Sequence, residues 1–159
     1  MSRSHAWVKR GTEFIDRVPM NWGKNLTLLG AMRRDGWVVL TTTYEKATKD
    51  RFVWWLRTKL LPKLRRGDVI VMDNLQAHHD ERVLESCAAR GVDVIYLPPY
   101  SPDFNPIESA WALQKQFVRR HAPRTKDALR RVARRARYRV TPQHCGRWFE
   151  HCGYPGQTN

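Results

Sequence analysis

Asp68-Val69-Ile70-Val71-Met72-Asp73 is a near-continuous apolar run with an acid at each end, and such a run marks a strand covered on both faces. The next two dozen residues supply a partner for it. Asp80 to Arg90 has the composition of a helix, with Val83, Leu84, Cys87 and Ala88 as its apolar residues, and Gly91 stops it. Val92-Asp93-Val94-Ile95-Tyr96-Leu97 then reads as a second strand of the buried type. A strand, helix, strand crossover makes the two strands parallel and, with few exceptions, right-handed. The strand ends at Asp73 and Leu97 therefore share one sheet edge, where open α/β sheets take their ligands. The fold class is α/β, with the first of these strands expected at the centre.

Upstream, Asn25 to Arg33 and Trp37 to Tyr44 are β-prone runs joined by Arg34-Asp35-Gly36, a hairpin signal that predicts an antiparallel pair. Phe52, Val53, Leu56, Leu60 and Leu64 recur at helical spacing, so one amphipathic helix is predicted from Lys49 to Leu64, its last turn weakened by Pro62. Downstream, Pro98 to Pro106 holds too many prolines for regular structure and makes a stiff loop. A helix is predicted to begin with Asn105 as N-cap and Pro106 at its first position, with Glu108 in the first turn. The last predicted helix runs from Thr125 to about Val140, with Leu129, Val132, Ala133, Ala136 and Val140 on one face and arginines around the rest. No internal repeat or linker interrupts the chain, so residues 1–159 are read as one domain.

A formal charge of +14 and a pI near 10.4 call for an anionic partner, and nucleic acid is the first candidate. The charge is concentrated: residues 115–139 hold eleven Lys or Arg against one acid, Asp127. Lys115, Arg119, Arg120, Arg130, Arg131, Arg134 and Arg135 are the candidate contacts to double-stranded DNA, giving affinity that falls steeply with salt and little sequence preference. A solvated helix face is the plainer alternative. No run reaches the roughly 18 to 20 apolar residues of a spanning helix, and Met1-Ser2-Arg3-Ser4-His5 leads into no signal-like apolar core; no membrane partner and a cytoplasmic, nucleoid-associated location are expected. Cys87, Cys145 and Cys152 form no C-x-x-C pair and are read as reduced thiols. His144-Cys145 and His151-Cys152 match no usual zinc spacing, and helix packing is their expected role. For the seven tryptophans, Trp54, Trp55, Trp111 and Trp148 among them, core packing is expected ahead of base stacking.

Asp73 and Glu108, 35 positions apart, are the candidate catalytic pair, because the crossover brings both towards one edge. Phosphoryl transfer by two divalent ions needs several carboxylates converging on cations about 4 Å apart. Each acid also has a local reading. Asp73 before Asn74 can bond its own turn, and Glu108 three positions after Asn105 can complete a capping box. His78 and His79 can touch the site, although turn histidines are more often exposed to solvent.

Two longer stretches, Asp73-Asn74-Leu75-Gln76-Ala77-His78 and Leu97-Pro98-Pro99-Tyr100-Ser101-Pro102-Asp103-Phe104-Asn105-Pro106-Ile107-Glu108, resemble the DDE transposases of the mariner superfamily, specifically their bacterial insertion-sequence branch. Ser2 to Trp7, Leu26 to Ala31 and Trp148 to Tyr154 extend the resemblance over nearly the whole chain. It implies a ribonuclease H-like mixed sheet with helices on both faces, metal-dependent DNA cleavage and strand transfer, and Asp73 and Glu108 as the second and third ligands of Mg²⁺, with Mn²⁺ as a possible substitute. The family's first Asp sits on a central strand ahead of the segment resembling Met1 to Trp7, and this strand is expected to be missing here. Asp16 aligns with the loop after it and is not taken as a ligand. An upstream transposase half carrying that Asp and a helix-turn-helix is the expected partner, with a homo-oligomer as the complete enzyme. Without the strand, the chain alone is expected to be unstable or self-associating. The alternative is a catalytically inactive DNA-binding remnant.

Overall fold

The computed structural model describes residues 9–11, 25–154 and 156; Asp16 and Ser2 to Trp7 lie outside them. Strands β1 (Thr27–Arg33) and β2 (Gly36–Thr43) form the predicted antiparallel hairpin. Gly36 closes its turn at φ +141, where a side chain is strained. A bulge opposite Ala31 and Met32 leaves Val38 unmatched, so Val38 and Val39 both pack against the same core.

Helix α1 (Lys49–Trp55) starts at Thr48, whose hydroxyl accepts from the Arg51 N–H, and buries Phe52, Val53 and Trp55. The single helix predicted to Leu64 is instead composite: the ladder widens to a π turn over Leu56–Leu60 and tightens to a 3₁₀ turn over Leu61–Lys63. Pro62 has no N–H to give and its ring crowds the carbonyl one turn back, so a regular ladder cannot pass through it.

Strands β3 (Val69–Met72) and β4 (Asp93–Tyr96) run parallel, Val69 opposite Asp93 and Met72 opposite Tyr96, joined by helix α2 (Glu81–Ala88). Asp80 caps α2, and the Arg82 side chain bonded to it holds its carboxyl down to about 2. Gly91, at φ +64, turns the chain into β4.

Ile70, Met72, Val94 and Tyr96 pack on the main core of Phe52, Val53, Trp55, Leu56, Val83 and Cys87. The opposite face departs from the expectation of a strand covered on both sides, since Val69 and Ile95 are 51% and 53% exposed. An apolar run records that a strand can be covered, not which segment covers it. Nor is β3 central among the described residues: its strand partner there is β4, and the strands form one antiparallel and one parallel pair. An ion pair from Arg33, at the end of β1, to Asp68, just before β3, ties the pairs together.

Helices α3 (Pro106–His121), α4 (Lys126–Ala136) and α5 (Pro142–His151) complete the fold. Ala110 of α3, Cys145 of α5 and Val140 form a second core, against which Met32 and Trp37 of the hairpin pack. The hairpin thus has helices on both faces, as expected for an α/β domain of this kind. The last predicted helix is shorter than its periodicity suggested: α4 ends at Ala136, Arg137–Arg139 make a 3₁₀ turn, and α5 is a separate element opened by a capping box between Thr141 and His144. All three cysteines are buried and free, and burial pushes their thiols up. No helix among the described residues is long and apolar enough to cross a membrane.

Candidate active site

Asp73 follows the last residue of β3, and Glu108 is the third residue of α3. Both line one cleft of about 430 Å³, whose other walls are Asn74 and Leu75 and the loop from Leu97 to Pro102. The two acids that the sequence separates by 35 positions therefore face a common space.

The strand side of the cleft is tightly bonded. Asp73 Oδ1 accepts from the Leu75 N–H at 3.3 Å, which is the local turn bond. The same oxygen lies 2.8 Å from Nδ1 of His78, and that nitrogen is also 3.2 Å from the Asp73 carbonyl oxygen. His78 is not the exposed turn histidine that its position suggested: its side chain is 19% exposed and its ring lies 4.4 Å from that of Phe52. Tyr96 donates its hydroxyl to the His78 carbonyl at 2.9 Å. Burial raises the Tyr96 phenol, which keeps this donor protonated. His79 stacks on the other side of the arrangement, 4.3 Å from the Tyr96 ring, and contacts Asn74 Oδ1.

On the helix side, geometry comes from the backbone. Tyr100 occupies a left-handed conformation at φ 57 with its side chain fully exposed. Pro102–Phe104 make a 3₁₀ turn, and the Asn105 N–H returns to the Pro102 carbonyl at 2.9 Å. Pro106, buried at the first helical position, has the preset φ that α3 needs. Asn105 is the N-cap by backbone alone: its side chain makes no capping bond, so the capping-box reading of Glu108 is not realised. Glu108 is exposed, and no hydrogen bond or ion pair among the described residues engages its carboxylate. The loop is pinned from far along the chain, where Tyr154 donates its hydroxyl to the Phe104 carbonyl at 3.0 Å. Arg34 in turn holds the Tyr154 carbonyl at 2.7 Å and Glu150 at 2.6 Å. Sequence reasoning gave neither Tyr154 nor Phe52 a place at the cleft, because contacts between distant positions leave no local signature.

None of the seven candidate cations lines the cleft. Lys115, Arg119 and Arg120 are exposed on α3, and Arg119 lies about 17 Å along the helix axis from Glu108 at 1.5 Å per residue. Arg130, Arg131, Arg134 and Arg135 are exposed on α4, which packs against α3. None of the seven is paired with a carboxylate among the described residues. Tyr138, 76% exposed, lies under the Arg137 guanidinium at 5.3 Å.

The donors at the cleft are carboxylate and amide oxygens, the ligand type of hard divalent cations such as Mg²⁺ and Mn²⁺ and a poor one for zinc. Among the described residues no three His, Cys, Asp or Glu side chains converge on one point. Elsewhere, the His144 ring is committed to the capping box of α5, and Cys145 is buried in the second core.

A family model of DDE superfamily endonucleases matches residues 1–130. The chain belongs to that family. Its fold is shared with Mos1 transposase. In the Mos1 paired-end complex with the left transposon end, the TM-score is 0.72 at 16% identity, over 94% of this chain and 47% of that one. The Mos1 strand transfer complex gives 0.69 at 17%, and the Mos1 mariner paired-end complex with Mn gives 0.68 at 14%. Identities this low speak for the fold alone. The chain spans just under half the length of the Mos1 chains it matches. No curated protein matches it at a significant level.

Proposed function

We propose that the chain is the catalytic domain of an insertion-sequence transposase, cleaving double-stranded DNA and transferring the freed strand. The observation that carries this is the meeting of Asp73 and Glu108 at one cleft. Asp73 and Glu108 would hold Mg²⁺, with Mn²⁺ as a substitute; when bound, such an ion polarises a phosphodiester and lowers the pKa of an attacking water or hydroxyl. The chain's own contribution is positional. Asp73 is fixed at the strand end by its turn, and Glu108 is presented by a proline-stiffened loop at the N-terminus of α3.

The unpaired cations of α3 and α4 bind the phosphate backbone away from the cleft and hold the duplex across it. Such binding is salt-dependent and indifferent to sequence. With two acids lining the cleft among the described residues, the reading requires a third carboxylate. It assigns that group to an upstream partner segment, the complete enzyme being a homo-oligomer acting in the cytoplasm.

Mn²⁺ added to the ¹⁵N-labelled chain tests the metal site, because a paramagnetic ion broadens nearby amides even when it binds weakly. Broadening centred on Asn74 and Ile107, and lost in Asp73→Asn and Glu108→Gln, is expected. An absence of localised broadening overturns the metal reading. Cleavage and strand joining on transposon-end DNA with Mg²⁺ then separate enzyme from remnant: duplex binding without cleavage, unaffected by Asp73→Ala, favours the inactive DNA-binding alternative.

A further inference from the structure

His78 enters none of the roles assigned so far, yet it makes the closest polar contact to Asp73. Its Nδ1 lies between two acceptors, Asp73 Oδ1 at 2.8 Å and the Asp73 carbonyl oxygen at 3.2 Å. A backbone carbonyl oxygen can only accept, so the nitrogen that bonds it carries the hydrogen, and the imidazole is held with its hydrogen on Nδ1. The ring cannot swing away freely. Phe52 of α1 lies against it at 4.4 Å, Tyr96 of β4 bonds the His78 carbonyl at 2.9 Å, and the His78 N–H closes the turn on the Leu75 carbonyl at 2.8 Å. One contact to the ring and two bonds to the backbone thereby hold the residue whose ring touches the Asp73 carboxylate.

Asp73 needs such a contact. Its side chain is 41% exposed at the end of a four-residue strand, where a carboxylate is free to change rotamer. Both bonds it makes, to Leu75 and to His78, use Oδ1. Among the described residues Oδ2 has no partner. The carboxylate is therefore anchored by one oxygen and open at the other, as expected of a ligand oriented by a neighbour that does not itself bind the cation.

We propose that His78 is a positioning residue for Asp73: its Nδ1–H fixes the carboxylate through Oδ1 and leaves Oδ2 for a divalent cation. The use assigned to this brace rests on the metal reading of the cleft. The brace itself is a property of the metal-free chain. The pair of contacts also accounts for the His five positions after Asp73, since a tight turn over Leu75 to His78 is what brings the ring back to the acid.

Three variants and two measurements test the proposal. His78→Asn keeps an N–H donor near the Nδ1 position but loses the ring; His78→Leu keeps apolar bulk against Phe52 but has no donor; His78→Ala has neither. Mn²⁺ affinity, read from the broadening of Asn74 and Ile107, is expected to fall about 10- to 100-fold in the Leu and Ala variants and to stay within about threefold of wild type in His78→Asn. A role in packing alone gives the reverse order, with Leu near wild type and Asn impaired, and that order overturns the proposal. The second measurement is the ¹⁵N spectrum of the imidazoles without metal. An Nδ1–H form of His78 in the wild type, reverting to the usual Nε2–H form in Asp73→Ala, supports the brace; an Nε2–H wild type overturns it whatever the metal data show. Failure of the wild-type chain to bind Mn²⁺ overturns instead the metal reading and the use assigned to the brace.

Discussion

Asp73 and Glu108 reach the same cleft from elements of different kinds, and the protein treats them differently. On the strand side, Asp73 is bonded through one oxygen to Leu75 and His78, and the histidine is fixed by Phe52 and Tyr96. On the helix side, the Glu108 carboxylate is unengaged, and its placement comes from the backbone of Pro98–Pro106 and from Tyr154 at the far end of the chain. One acid is positioned by its own contacts, the other by its scaffold. Variants on the two sides should therefore fail differently, even where both abolish the chemistry.

The largest effect is on activity. Asp73→Asn and Glu108→Gln should each reduce DNA cleavage by about 10³-fold or more, since metal stabilisation of transition-state charge amounts to several kcal/mol. Stability should separate them. Asp73→Ala removes the acceptor of the turn bond and of His78, a loss of about 1–2 kcal/mol, whereas Glu108→Gln leaves the thermal midpoint within about 1 °C of wild type because no bond or ion pair among the described residues engages its carboxylate. Equal melting losses in the two variants would break the distinction.

The helix side also carries the polyanion surface, and the next effect concerns it. Replacing Arg130, Arg131, Arg134 and Arg135 together by Ala should cut duplex affinity by roughly two to three orders of magnitude near 0.1 M salt and flatten the log–log salt dependence by about 3–4 units. Broadening by Mn²⁺ at Asn74 should be unaltered, as none of these side chains lines the cleft. An unchanged salt slope would reduce the helix face to a solvated surface.

A third variant perturbs the helix side through its packing. A methyl group on Gly30 of β1 would stand 2.8 Å from the Trp111 ring and 2.9 Å from that of Trp37. The two rings already pack on each other, their centroids 5.3 Å apart, and have little room to yield. Gly30→Ala should therefore destabilise the chain by about 1–3 kcal/mol. Trp111 follows Glu108 by one helical turn, and backbone shifts should propagate to the amides of Ile107 and Glu108 while those of Asn74 and His78 stay in place. Shifts of equal size on both sides would mean that the cleft moves as one unit.

Much of this arrangement was legible in the sequence because it is written locally. The run Asp68 to Asp73, the helix stopped at Gly91 and the strand to Leu97 define the crossover and the shared edge, and Asn105-Pro106 marks the start of α3. Hairpin bounds came within two residues, since Gly36 leaves little choice of turn. What could not be read depends on neighbours distant along the chain. Val69 and Ile95 look as buried in sequence as Ile70 and Val94, yet among the described residues the core lies on the side of Ile70 and Val94. The π turn over Leu56–Leu60 keeps the apolar spacing of a regular helix, so periodicity alone could not reveal it. His78 looked like a solvent-facing turn residue because Phe52 and Tyr96, which bury it, come from α1 and β4.

The smallest effect, and the sharpest on the helix side, is expected from Tyr154→Phe. The phenol spans 50 positions to bond the Phe104 carbonyl, and burial raises its pKa so that it stays a donor. Removing the hydroxyl keeps the ring, and with it the edge contact to Phe149 at 5.9 Å. What is lost is one partly solvated hydrogen bond of about 0.5–1.5 kcal/mol. The 3₁₀ turn before Glu108 is then held by its prolines and by the backbone bonds of Phe104 to Ser101 and of Asn105 to Pro102. Amide exchange at Asn105 should quicken by a few-fold, and Mn²⁺ broadening at Ile107 should weaken relative to that at Asn74. If exchange at Asn105 is unchanged, the loop is stiff enough without its distant anchor, and the scaffold of Glu108 ends at Pro106; if Asn74 changes as well, the two sides of the cleft are not independently held.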